Sequence, residues 1–248
     1  MRTLNRYYLY IIIISVLLAK ASLCFSQTLC QGILQNFLSP VCTEARWIFI
    51  PGALIGAGFY YEKHQSQDKV KSHADRKKHM KNWAKISDRV GMGVLNGSYS
   101  LLMMIYGYGS GRRYPRRSAE QMIEASLYSQ FVTQSLKYSI SEERPNKEDD
   151  HSFPSGHATA AFAFSSLVML NHEWYWGLLA TGAALAISYG RLELKKHYLH
   201  DVIFGATIGM SYGVGIFLNH RYYNKPYWFA LAPMPDFKGA QFSMAYKF

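Results

Sequence analysis

Charge is scarce in this chain. Charged residues fill 17% of its 248 positions, where about 25% is usual for a soluble domain. Acid is the scarcer sign, with 16 Asp and Glu against 27 Lys and Arg and a formal net charge of +11. Such a balance suits an anionic partner: a lipid headgroup, a nucleic acid or a phosphate ester. No nucleic-acid module and no zinc-type ligand spacing is present, so neither nucleic acid nor a metal ion is expected. Cysteine is nearly missing. Only Cys24, Cys30 and Cys42 occur, all near the N-terminus. With an export signal removed, Cys30 and Cys42 remain, either as a disulfide in an oxidising periplasm or as two thiols in an apolar segment. Internal repeats and low-complexity segments are absent, and nothing alternates in the manner of a βαβ fold.

What is present is a series of apolar runs. Arg2 and Arg6 precede an apolar stretch from Tyr7 to Ala19 and then small residues, the pattern of an export signal cleaved after Ser26. Trp47 to Tyr61 is apolar but short of the roughly 20 residues that cross a bilayer. Glu62 to Asp88 is polar, rich in lysine and histidine, and reads as a solvated surface. Val90 to Tyr108 is the next helix. A basic loop follows, with Arg112, Arg113, Arg116 and Arg117 around Pro115, and Ser118 is a candidate cap for a helix to Ile140. That helix is half apolar. Gln121, Glu124, Ser129, Gln134 and Lys137 suggest that it packs within a protein bundle. Three strongly apolar helices complete the series: Ala158 to Asn171, Trp174 to Gly190 and Val202 to Asn219. Their glycines and alanines suit close helix contact.

These runs predict an all-α fold: a bundle of about six apolar helices, embedded in a membrane, with a short β-like tail. In the tail, Phe242, Met244, Tyr246 and Phe248 recur every second residue, the period of a strand, and a surface hairpin is the simplest form for it. The expected organisation is a signal segment over 1–26, an apolar and basic stretch over 27–87, a core over 88–222 and the tail over 223–248.

Three polar clusters stand at the ends of these helices. The first is Lys137, then six residues, then Arg144-Pro145. The second is Pro154-Ser155-Gly156-His157. The third is Arg191, then five residues to His197, then three to Asp201. The residue types fit phosphoryl chemistry. A phosphate ester carries two negative charges, and its transferring group spreads charge over equatorial oxygens, so fixed cations and N–H donors stabilise it. Lys137, Arg144 and Arg191 are the cations, and an arginine can fork onto two oxygens. Ser155 and Gly156 open a helix, where backbone N–H groups and the helix dipole attract an anion, and Gly156 admits a close approach of the ligand. His197 and Asp201, four apart, share a face if both lie on the helix. Asp201 would then accept from one ring nitrogen and leave the other to attack phosphorus.

In order and spacing, the clusters resemble the signature of the type 2 phosphatidate phosphatase superfamily, in its bacterial membrane lipid-phosphatase branch. That group also holds bacterial acid phosphatases and vanadium haloperoxidases. The resemblance covers Val90 to Asn219. It implies a metal-independent phosphatase without a cofactor, in which His197 is the nucleophile that forms a phosphohistidine. His157 is implied to be the acid that protonates the leaving alcohol, and Asp201 to support His197. Two features depart from the family pattern. Gly190 stands where a serine often precedes the arginine, and the gap Asn146 to Phe153 is short, which leaves little room for a lid.

The implied partners are a membrane and a phosphorylated lipid: phosphatidate, a polyprenyl pyrophosphate or a lipid A phosphate. The basic loop before Ser118 argues for the cytoplasmic side by the positive-inside rule. That puts the site in the periplasm, on an inner-membrane protein of the cell envelope. The terminal aromatics of the tail leave an outer-membrane association open. The alternatives are a soluble periplasmic acid phosphatase, favoured by a mean hydropathy of −0.09, a vanadium haloperoxidase and a non-enzymatic envelope protein. His151 and His200 are expected as polar surface residues near the site, and Glu142 and Glu143 as partners of its arginines.

Overall fold

The computed structural model describes residues 33–61, 93–222, 227–233 and 240–246. The signal segment, Cys24, Cys30 and the lysine-rich stretch from Glu62 lie outside the described residues. Eight helices occur among those described: α1 (Ile33–Phe37), α2 (Ser39–Cys42), α3 (Arg46–Tyr61), α4 (Val94–Gly109), α5 (Arg113–Ile140), α6 (Gly156–Asn171), α7 (Trp174–Glu193) and α8 (Leu199–Tyr222). Two strands follow, β1 (Tyr227–Pro233) and β2 (Ala240–Tyr246). They pair antiparallel, with Tyr227 opposite Tyr246 and Pro233 opposite Ala240. The alternating residues Phe242, Met244 and Tyr246 therefore fall on β2.

The centre of the bundle is α6, whose first thirteen residues are almost all buried. It packs against α5, α7 and α8. Met122 and Ala125 of α5, Leu167 and Val168 of α6, Ala180 of α7, and Ile208, Tyr212 and Ile216 of α8 form one apolar cluster. Ala161 and Phe162, with Ala184, Ile187 and Ala206, form a second. The small residues of α8 let it meet α6 almost backbone to backbone. A Cβ at Gly209 would stand 2.8 Å from the Ala163 amide nitrogen and closer still to the Thr159 carbonyl oxygen. The N-terminal helices close the other side of α8, where Gly52 faces Thr207 and Gly215 faces Ser39.

The half-polar character of α5 has a physical use. Asn171 donates to Gln121 (2.8 Å), Gln130 to the Gly156 carbonyl (2.9 Å), and Thr133 pairs with Thr159 (3.0 Å). These bonds tie α5 to α6. Glu124 accepts from Asn36 of α1 (2.8 Å) and is 3.0 Å from the His220 Nε2 of α8. Asn219 donates to the Asn36 side chain (3.0 Å). Buried polar groups are thus satisfied across helices, as an interior requires. Gln134, by contrast, is exposed, and Gln130 takes the inward role expected of it.

Helix α5 begins five residues before the expected cap. Arg113, Arg116 and Arg117 lie in its first turns, and Ser118 donates from inside the helix to the Tyr114 carbonyl (3.1 Å). Pro115 falls in the first turn, where a missing N–H costs nothing. Cys42, at the end of α2, is disulfide-bonded.

Many large apolar side chains point outward: Leu101, Leu102 and Ile105 on α4, Leu127 and Phe131 on α5, Leu178, Leu179 and Leu185 on α7. Among the described residues, one helix is long and apolar enough to cross a membrane, the Leu199–Arg221 portion of α8.

The contact between α6 and α8 leads to a prediction. Gly209→Ala is expected to destabilise the bundle by about 1–3 kcal/mol, the usual cost of overpacking. Gly182→Ala, with no atom within 4 Å of the new Cβ, is expected to leave the melting temperature almost unchanged. Thermal unfolding of both variants under one buffer condition checks the difference.

Candidate functional site

Helices α5 and α7 run toward one end of the bundle, and α6 and α8 start there. All three sequence clusters therefore meet at that end. Lys137 is in the last turn of α5. The segment 141–155 joins α5 to α6, Arg191 lies near the end of α7, and His197 sits in the link before α8.

The 141–155 segment is folded by its own bonds. The Arg144 amide donates to the Asp149 carbonyl (3.0 Å), and the Arg144 Nε donates to the Asp149 carboxylate (2.6 Å). Asp149 thus holds one edge of the guanidinium, and the terminal nitrogens take no part in that contact. Lys137 donates to the carbonyls of His151 (2.7 Å) and Pro154 (3.0 Å). Two of its three N–H donors thereby hold the segment over the end of α5.

Ser155 is the N-cap of α6 and accepts from the Ala158 amide. Its own amide donates to the Asp201 carbonyl (3.0 Å), which fastens the start of α6 to the start of α8. That N–H is consequently spent within the protein, and the Gly156 amide stands next at the helix tip. A Cβ on Gly156 would make only ordinary contacts, 3.4 Å from Gln130 and 3.8 Å from Thr133. Packing therefore leaves room at this position. His157 is buried in the first turn of α6, and Arg191 is buried as well.

His197 is 3% exposed. Its Nδ1 is 2.7 Å from the Ser152 carbonyl oxygen. A carbonyl only accepts, so Nδ1 carries the proton and Nε2 the lone pair. The expected acceptor, Asp201, is farther from Nδ1, at 3.5 Å. The reason is local: His197 lies before α8 rather than on it. Asp201, at the third helical position, turns its Oδ2 to the Tyr198 amide (2.8 Å), as the acidic member of a capping box does. The same Oδ2 accepts from the Ser152 hydroxyl. Burial holds the His197 imidazole below the ordinary histidine range, against the pull of the Asp201 carboxylate; Lys137 and Arg191 add to the downward push. The ring is therefore neutral near neutral pH.

Ser152, His200 and Glu142 make contacts that the sequence reading did not foresee. His200 is 1% exposed and Glu142 2% exposed, so neither belongs to the surface. Glu142 meets His200 at 3.1 Å. His151 is half-exposed, edge-on to Tyr138. The adjacency of His200 to Asp201 was a usable signal. For Ser152 the sequence offered none beyond its place in the short gap before Pro154.

Comparison with known proteins agrees with this arrangement. Residues 119–225 match the model of the PAP2 superfamily. A lipid A 1-phosphatase of Porphyromonas gingivalis is 26% identical over 132 residues, which cover 51% of this chain and 29% of that protein. The chain thus spans under a third of that relative's length. The crystal structure of Aquifex aeolicus LpxE shares the fold with a TM-score of 0.54, at 18% identity, over 62% of this chain and 95% of that one. A transmembrane PAP2-type phosphatidylglycerolphosphate phosphatase from Bacillus subtilis gives 0.58 at 16% identity, over 71% and 96%. With the three clusters gathered at one end of such a bundle, the segment from 119 to 225 is similar to the PAP2 superfamily.

Proposed function

We propose that this protein is a metal-independent phosphatase that removes phosphate from a membrane lipid. The observation that carries the reading is the buried His197 ring, held with Nδ1 against the Ser152 carbonyl and Nε2 left to act, near the cationic groups of Lys137 and Arg191. In the proposed reaction, Nε2 attacks phosphorus and the bond to the alkoxide oxygen breaks. His157 gives that oxygen its proton. Water then attacks the phosphohistidine, His157 takes the proton of the water, and Nε2 leaves. The three cations and the Gly156 amide stabilise charge on the equatorial oxygens. Asp201 keeps the link around His197 in place.

Several features support a lipid substrate. Large apolar side chains point outward along α4, α5 and α7, and α8 is long and apolar enough to span. The relative named a lipid A 1-phosphatase favours a lipid A phosphate, with phosphatidate and polyprenyl pyrophosphate as further candidates. The bonded state of Cys42 supports an oxidising compartment, in keeping with a periplasmic site in the inner membrane. A second reading, a soluble periplasmic acid phosphatase, is favoured by the mean hydropathy of −0.09. Carbonate extraction separates the two, because a soluble enzyme is released from membranes.

Purified protein is expected to release phosphate from at least one member of a panel of phospholipids, prenyl pyrophosphates and lipid A, without added metal. Vanadate, which mimics pentacoordinate phosphorus, is expected to inhibit. His197→Ala is expected to lower kcat by a factor of about 1,000 or more, as loss of a nucleophile does. Full activity in that variant would refute the assignment.

A second expectation concerns pH. The attacking form of His197 is neutral, and its folded pKa lies below the ordinary value. The acid limb of kcat/KM is therefore expected below about pH 6.5. Asp201 pulls that pKa upward, so Asp201→Asn is expected to move the limb to still lower pH while kcat falls. A limb that stays in place or moves upward would contradict the assigned electrostatics.

A further inference from the structure

Behind the His197 link lies a second buried cluster that the reaction above does not use. Glu142, His200 and Asp201 are 2%, 1% and 0% exposed. The His200 Nε2 stands 3.1 Å from Glu142 Oε2 and 2.9 Å from Asp201 Oδ1. Both oxygens belong to carboxylates that have already been shown to sit in the interior. Two like charges brought together there repel strongly, and a donor between them removes most of that cost. Since a carboxylate accepts, Nε2 carries a proton and donates it to Glu142, while Asp201 Oδ1 stands within ion-pair distance of the same nitrogen but outside hydrogen-bond geometry.

Aromatic rings hold the imidazole in its plane. Tyr198 stacks on it at 5.4 Å and 14°, Phe153 lies at 6.0 Å and 27°, and Tyr60 of α3 meets it edge-on at 5.0 Å and 87°. Three different parts of the chain thus fix the direction of one N–H. The other oxygen of Asp201 meets the Ser152 hydroxyl and the Tyr198 amide. The Ser152 amide, in turn, donates to the Glu142 carbonyl (2.8 Å), and the Ser152 carbonyl receives the His197 proton. Glu142 therefore reaches His197 by two routes. One runs along the backbone through Ser152, and the other runs through His200 and Asp201.

We propose that Glu142 and His200 are positioning residues: they clamp Asp201 from behind and thereby fix the tautomer and direction of the His197 ring. The closed circuit of Glu142, Ser152, Asp201 and His200 leaves the link before α8 a single arrangement. The same three side chains are of types that bind divalent cations, but the 3.1 Å contact of His200 with Glu142 has an ordinary N–H···O length, and the N–H of that ring faces Asp201 at ion-pair distance. The consequence for turnover rests on the phosphatase reading; the consequence for the ring does not.

The test uses the full chain in detergent and two variants. His200→Phe keeps a flat ring among Tyr60, Phe153 and Tyr198 but has no donor. Glu142→Gln keeps the shape and loses the charge. Nitrogen-15 NMR of the histidines reads the His197 tautomer without any need for turnover. The wild type is expected to hold Nδ1–H, and both variants are expected to show a mixture. With a lipid substrate, kcat is expected to fall about tenfold or more, the scale on which outer partners of a functional histidine act, while KM stays within about twofold, since neither residue meets substrate. A folded His200→Phe with the wild-type tautomer and kcat would overturn the proposal. If that variant does not fold, the same result in Glu142→Gln would do so. Turnover lost to a chelator and restored by a divalent cation would also overturn it, because a metal would then stand in place of the proton. If wild type releases no phosphate from any lipid, the phosphatase reading falls, and the tautomer measurement still decides the role of Glu142 and His200.

Discussion

The buried carboxylate of Asp201 is the constraint on which the site depends. One oxygen takes the Ser152 hydroxyl and the Tyr198 amide, and the other faces the His200 ring at ion-pair distance. The Asp201 backbone carbonyl takes the Ser155 amide. A single residue at the start of α8 therefore joins the 141–155 segment, the tip of α6 and the link that bears His197. An ionised carboxylate is tolerated in such an interior only when hydrogen bonds replace its water. Here that requirement gathers several separate pieces of chain around one point. The His197 ring is then aimed by the Ser152 carbonyl rather than by the carboxylate directly.

Much of this was legible in the primary structure. The apolar runs gave the main helices, because a helix that packs on several sides must be apolar on several sides. The three clusters gave the end at which the site lies, since the order of helices puts their charged termini together. The polar positions of α5 announced a helix inside a bundle, although Gln130 rather than Gln134 faces inward. Periodicity fixes a stripe to within about one residue, and neighbours decide the rest.

What stayed hidden was hidden for physical reasons. Ser118 looked like a cap because it precedes Glu120 and Gln121, yet Pro115 is tolerated in a first turn, and the helix extends back to Arg113. His200 looked like a surface residue and Glu142 like a partner of the nearby arginines, because both are charged or polar and both adjoin loops. Their burial arises only when 142 and 200, far apart along the chain, are brought face to face, and no local pattern encodes that. The role of the Ser152 carbonyl was invisible for a stronger reason: any residue supplies a carbonyl, so the side-chain letter carries no trace of it.

The glycine seam between α6 and α8 has a bearing on how firmly this site is held. Helices whose main chains touch have no side-chain layer to shear, so these two move as one body. That body carries His157, His197 and Asp201 on its rim. Their relative placement is set by main-chain contact, so a methyl group added at Gly205 or Gly209 would displace one helix against the other and with it the rim they share.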